Sequence, residues 1–366
     1  MPNKPDTPTP NDNVFDPSIQ SENIAFAPSE LVACGACGRL NPPTRSKCLY
    51  CGHELEIESA NLTKVKSFIR PMESWERGFN VIFHPSMEPS ELSVPDVSSL
   101  LSQEIESVEA ILAAGKPLPL VRVESNKDAE IVTAKLAGHG LTCSVVSDET
   151  LGTNQLPVRL AGIEFGGESI TFITFLTLER TEVLLSDLAL IIPGFLAESK
   201  IDLVEKRRRK GPEIFEEVES SLHETIVDVY SRSDPRGCRI QLAGFDFSCL
   251  GAEKGFIAAE NIKCLIRMLT KLAPGSKLVD DYGSVRRLLD PVWRIEQHSE
   301  TQGMKRIGIG KTGLQKVATT SNLQQFTKYS RLQWHLYEQE GITKEAQDKT
   351  ISTGTKTVTC GTKTAP

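Results

Sequence analysis

Apolar positions change their spacing along the chain, and the changes mark out its elements. Val97, Leu100, Leu101, Ile105, Val108, Ile111 and Leu112 recur at helical spacing. A capping-box pattern, Ser93 with Asp96, precedes them, Pro95 suits the first turn, and Gly115 ends the run. "LPLVRVE" from Leu118 predicts a strand. Ser125 and Asp128 repeat the capping box, and Ala129, Val132 and Leu136 form a helical stripe that Gly138 and Gly140 close. "LTCSVV" from Leu141 predicts a second strand. Together these form a β-α-β unit, and a right-handed crossover places its two strands parallel in one sheet. Upstream, "GFNVIFH" predicts a strand just after Trp75.

Beyond residue 156 the spacing shortens to that of strands: "VRLAGIEF", "SITFITFLTL", "EVLLSDLALIIPG" and "AESKIDLVEK", with Gly166-Gly167 as a hairpin turn. "ETIVDVYSR" and "CRIQLAGFDF" follow, joined by the turn "SDPRG". A helix is predicted over about 257–272, with Ile262, Leu265, Ile266, Leu269 and Leu272 on its buried face and Pro274-Gly275 ending it. "SVRRLLDPVW" predicts a short helix packed on the preceding unit. Residues 296–340 show no clear period. The two ends, rich in Pro, Asn, Asp and Ser at the start and in Thr and Lys at the finish, lack apolar periodicity and predict disorder.

These readings give an α+β chain with five parts: a disordered arm (1–30), a small cysteine-bearing module (31–55), a helix plus β-α-β module (56–150), a strand-rich domain closed by an amphipathic helix (151–340), and a disordered tail (341–366). A length of 366 residues suits about two to three domains. With 39% hydrophobic and 24% charged residues, ordinary cores can form. A net charge of −7 argues against attraction of the whole surface to nucleic acid or acidic membranes, leaving only local basic patches. The most apolar run, "LALIIPGFL", is short of the roughly 20 residues that span a bilayer and is broken by Pro193-Gly194. No secretory signal opens the chain, so a soluble, cytoplasmic protein is expected.

Nine cysteines, an odd number in a chain this long, do not suit a disulfide framework. Four of them cluster in "CGACGRLNPPTRSKCLYCG" as Cys34-x2-Cys37 and Cys48-x2-Cys51. Two such turns supply the four thiolates of a tetrahedral zinc site, at about 2.3 Å from the ion. Gly38 and Gly52 each follow a pair, where the backbone must turn sharply. Arg39, Arg45 and Lys47 lie nearby without an acidic residue between 34 and 53, which offsets the excess negative charge of four thiolates on one divalent ion. Iron of the rubredoxin kind is the chemical rival. Four protein ligands close the site, so its expected role is structural.

The spacing, with Asn41 between the pairs, resembles the RanBP2-type zinc finger, and the glycine-flanked pairs are similar to bacterial zinc ribbons. The resemblance covers residues 32–53. It implies zinc held by Cys34, Cys37, Cys48 and Cys51, with Asn41 bracing the turn between the pairs. That family's RNA-binding members stack a base on a Trp where this chain has Val32, and its ubiquitin-binding members carry Thr-Phe where this chain has Gly38-Arg39. Neither recognition mode carries over. In outline, the strands followed by one amphipathic helix are weakly similar to a pleckstrin-homology-like domain, a likeness of element order alone.

Other motifs read as bland. "GIGKTG" at 308–313 has Lys305 where a phosphate loop needs glycine, and predicts an exposed turn. "KRRRK" at 206–210 sits beside Glu205, Glu213, Glu216 and Glu217 and predicts a solvated loop. Cys249 has no partner motif and reads as a buried structural cysteine, the six histidines (53, 84, 139, 223, 298, 335) fit no metal-helix pattern, and Asp246, Asp280 and Asp281 suit capping or surface roles. No catalytic residue and no cofactor beyond structural zinc is identified. The expectation is a non-enzymatic adaptor or regulatory protein that binds another protein. Two alternatives remain: a nucleic-acid-associated protein using the basic ribbon, with Arg207 to Arg209, and an enzyme with an unrecognised site in 157–340.

Overall fold

A computed structural model describes residues 26, 31–56, 69–70, 72–85, 93–206, 214–308 and 311–354, with side chains described throughout these except at 202–219, 301–316 and 343–354. The chain divides into two compact units, residues 1–66 and 67–366. Most of the arm expected at 1–30 and the last twelve residues of the expected tail lie outside the described residues. The architecture is α+β.

The described part of the first unit is the cysteine segment. Strands β1 (Val32–Ala33) and β2 (Leu40–Asn41) pair antiparallel, and an isolated bridge joins Lys47 to Glu54.

The second unit opens with a small sheet. β3 (Phe79–His84) leads into helices α1 (Val94–Leu101) and α2 (Ile105–Ala113), then β4 (Leu118–Val123), α3 (Asn126–Gly138) and β5 (Thr142–Ser147). The predicted crossover is present: β4 and β5 share a sheet and run in one direction, with β3 antiparallel between them. Ser125 caps α3 by accepting the Asp128 N–H at 3.1 Å. The other capping box fails, because Ser93 makes no side-chain cap, and the expected single helix is two. The chain breaks at Ser102, which takes φ +54°. Ser98 Oγ bonds the Gln103 carbonyl and Gln103 Nε2 reaches the Leu120 carbonyl, both at 2.5 Å. Val97, Leu101, Val108 and Ile111 stay on the buried side across the break, so the apolar spacing alone does not reveal it.

A nine-stranded sheet follows. β6 (Val158–Phe165), β7 (Ser169–Thr174) and β8 (Arg180–Leu184) form a meander, and Gly166-Gly167 make its first turn as predicted. β9 (Leu188–Lys206) and β10 (Ile214–Ser231) form a long hairpin, and β11 (Cys238–Gln241) pairs with β10. β11 then runs parallel to β6, joining hairpin to meander. Helix α4 (Ala258–Leu272) packs Ile262, Leu265 and Leu269 against this sheet, while Leu272 of the predicted face is exposed. β12 (Lys277–Leu278) adds to the near half of β9. Short α5 (Tyr282–Val285), with the 3-10 turn after it, buries Val285, Leu289 and Trp293 as expected. β13 (Glu296–Gly308) and β14 (Lys311–Ser321) form a hairpin that pairs with the far half of β9, and α6 (Leu323–Gly354) ends the described chain. This helix continues through 341–354, which were expected to belong to the disordered tail.

The Pro193-Gly194 pair was expected to end a strand, yet β9 runs through it. Pro193 needs no partner for a missing N–H on the outer edge, because β12 pairs only at Leu190–Ile191 and β14 only from Glu198 onward. Gly194 gives room to a ring: a Cβ there would sit 2.2 Å from Phe326.

The β9–β10 hairpin separates two cores. Leu190, Ile192, Ile226 and Tyr230 face the small sheet, α5 and α6. Ile191, Val227 and Val229 face α4 and the meander. Both faces are buried, which is why "LALII" reads as unbroken apolar sequence without alternation. Asp228 lies on the α6 side at zero exposure. It is held by Arg239, its cross-strand partner, at 2.7 and 2.8 Å, and Arg239 also donates to Thr327 Oγ1 of α6.

Candidate metal centre

The two Cys-x2-Cys turns are built alike. Gly38 N–H donates to the Cys34 carbonyl and Gly52 N–H to the Cys48 carbonyl, at 2.8 and 3.0 Å. Cys34 N–H donates to the Arg39 carbonyl and Cys48 N–H to the His53 carbonyl, at 3.0 and 2.8 Å. Gly38 and Gly52 take φ of +69° and +72°, a conformation that side-chain-bearing residues rarely adopt.

Asn41 is fully buried between the turns and ties them together. Its Nδ2 donates to the Arg39 carbonyl at 2.9 Å and toward Cys48 Sγ at 3.4 Å, and its Oδ1 accepts the Leu49 N–H at 2.8 Å. One side chain therefore fixes the first turn, the second turn and a sulfur, which is the bracing role the resemblance implies.

All four sulfurs lie within 4.8 Å of one another, and Cys34–Cys51 and Cys37–Cys48 are each 3.6 Å apart. Bonds of about 2.3 Å to a tetrahedral ion place sulfurs about 3.8 Å apart, so the cluster fits one metal ion. Electrostatics agree. The Cys37 backbone N–H, first among the causes, lowers the Cys34 thiol. At Cys48 desolvation works upward, but the Tyr50 and Cys51 N–H groups and Asn41 outweigh it and bring the thiol to about 6. At Cys51 the His53 N–H favours the thiolate, yet the neighbouring sulfurs push the thiol up to about 12. Four thiolates repel one another here, and a divalent cation removes that conflict.

No family model, no curated protein and no solved structure matches this chain.

Around the cluster the surface is part apolar and part basic. Leu40, Leu49 and Tyr50 are 51%, 52% and 56% exposed. The Arg39 guanidinium lies 4.7 Å over the Tyr50 ring, and Arg45 and Lys47 are exposed. His53 adds no ligand to the cluster.

The remaining candidates keep their bland roles. Asp246 caps the turn after it by accepting the Ser248 N–H at 3.0 Å. Cys249 is half-buried rather than buried, and desolvation pushes its thiol up to about 11, away from nucleophile chemistry. Asp281 pairs with Lys116 at 2.5 Å. The "GIGKTG" segment joins two antiparallel strands, with Gly308 opposite Lys311, whereas a phosphate loop leads from a strand into a helix. Most of "KRRRK" lies outside the described residues. Among these, no helix is long and apolar enough to cross a membrane.

Besides Asp228 with Arg239, a second buried polar network not apparent from the sequence centres on Arg122 and Asp148. Arg122 donates from Nε to Asp148 at 3.0 Å, from Nη1 to the Glu73 carbonyl, and from Nη2 to the Glu76 carbonyl and to Asp148. Asp148 also accepts from Gly78 N–H and Asn80 Nδ2, both at 2.9 Å, and Trp293 Nε1 donates to Asn80 Oδ1 at 2.8 Å. The available signal was an arginine inside the apolar strand "LPLVRV", since a lone charge there needs a buried partner.

Proposed function

We propose that residues 31–56 are a structural zinc module, and that the protein is a non-enzymatic adaptor or regulatory protein whose module presents a surface to a partner protein. The cluster of four cysteines braced by buried Asn41 carries this reading. With four protein ligands the ion has no open position for a substrate or water, so the metal's work is to hold the fold. What it holds in place is a segment bearing exposed Leu40, Leu49, Tyr50 and Arg39. Aromatic residues and arginine dominate the energetics of protein interfaces.

The test is affinity capture with the full chain against a Leu49→Asp/Tyr50→Asp double variant that retains its metal. The reading expects specific partners to be lost by the variant, and an unchanged partner set counts against it. Arg39 over Tyr50, with Arg45 and Lys47, is the observation that favours nucleic acid as the second reading. Salt-dependent binding of single-stranded RNA or DNA at about 50 mM salt, lost on Arg45→Ala/Lys47→Ala, would favour that reading instead.

A further inference from the structure

The first turns of α6 are buried on all sides, and five of their polar side chains are buried: Gln325, Thr327, Lys328, Ser330 and Arg331. Four are hydrogen-bonded. Gln325 bonds Asp290, the Trp293 carbonyl and Tyr282, and Thr327 accepts from Arg239. Ser330 bonds Tyr230 OH, and Arg331 donates to the Pro235 and Gln155 carbonyls. Lys328 is the exception. It is 4% exposed, and its ammonium has no hydrogen-bond or ion-pair partner among the described residues. Asp148, a buried acid on the wall of the same cavity, is already claimed by Arg122, Asn80 and Gly78.

The Lys328 side chain lines a cavity of about 260 Å³ whose walls include Trp75, Arg122, Asp148, Asn154 and Gln324. That volume is below the roughly 300–1,000 Å³ of drug-sized sites and suits a small molecule. Trp75 is 76% exposed and belongs to the wall. An apolar ring left in water at the rim of a polar cavity offers a stacking face to a bound group. The side chain is buried while its ammonium opens onto the cavity without a protein acceptor, and an anionic ligand supplies one. Lys328 is the one buried cation on this wall that no acid claims, and exposed Arg77 and Glu149 offset each other there, so a single negative charge matches the site.

We infer that this cavity binds a small monocarboxylate, with the carboxylate on the Lys328 ammonium and the body of the ligand against Trp75.

The experiment titrates the full chain with benzoate and follows tryptophan fluorescence. Trp293 and Trp334 are buried, so Trp75 is the exposed reporter. The expected result is saturable quenching with a dissociation constant of about 1 mM or tighter, weakened about tenfold or more by Lys328→Met. Inorganic phosphate and benzylamine should bind less well than benzoate. If Lys328→Met does not fold, Trp75→Ala and Asn154→Leu at exposed wall positions are titrated calorimetrically, and both should weaken benzoate. No response to benzoate at ~20 mM overturns the proposal. So does undiminished binding in the folded Met variant, undiminished binding in both wall variants, or tighter binding of phosphate or benzylamine than of benzoate.

Discussion

Lys328→Met should make this protein more stable at neutral pH. Desolvation first, and then the Arg122 guanidinium, hold the Lys328 ammonium down to about 8 from its ordinary 10.5, against weaker support from Asp148 and Glu296. A drop of that size is worth on the order of 3 kcal/mol of native-state cost at pH 7. Methionine keeps most of the buried alkyl chain and drops the charge, so the variant should gain about 2–3 kcal/mol. The pH dependence follows with a definite sign. Between about pH 8 and 10.5 the unfolded chain holds the lysine proton while the folded chain has released it. The unfolded state then binds more protons, so wild-type stability rises with pH relative to the variant and the gap closes. Burial also pushes the Cys143 and Cys238 thiols up to about 12, which lowers stability with rising pH in an overlapping range. The assay is therefore the difference between the two chains, from urea unfolding followed by far-UV circular dichroism between about pH 7 and 10. A Met variant less stable than wild type at pH 7, or a gap that widens as pH rises, would refute the reasoning.

Asn41→Ala removes the brace between the two cysteine turns and should weaken zinc binding by about 10–100-fold in a chelator competition. Asp228→Ala leaves Arg239 buried without its carboxylate and should cost about 3–5 kcal/mol in chemical unfolding, most of it recovered when Arg239→Met is added. Gly194→Ala places a methyl 2.2 Å from the Phe326 ring and should destabilise by about 1–3 kcal/mol, measured as a lowered urea midpoint at unchanged slope.

The legible parts of this chain are those where one local rule decides. Cys34, Cys37, Cys48 and Cys51 announce their cluster by spacing, and Asn41 announces its brace by its place between the pairs. The β4-α3-β5 unit and α4 follow from apolar spacing with clean starts and stops. Legibility ends where tertiary packing replaces an amphipathic pattern. The first turns of α6 are invisible as a helix because Gln325, Thr327, Lys328, Ser330 and Arg331 are as buried as Phe326 and Tyr329. Pro193-Gly194 reads as a break because the local rule cannot know that β9 is paired there only by β10 and carries no strand on its outer edge. The break at Ser102 keeps the apolar phase of α1 and α2 and so leaves no mark. The Lys328 cavity draws on Trp75, Arg122, Asp148 and α6, positions up to about 250 residues apart that no local pattern connects.

The central claim is that the four-cysteine segment is a closed zinc site. Metal content of the purified full chain, measured by mass spectrometry beside Cys34→Ser and Cys48→Ser, tests it most directly. The account predicts about one zinc per chain in the wild type and loss of that zinc in both variants. A wild-type chain that carries iron in its place, or no metal at all, would contradict it.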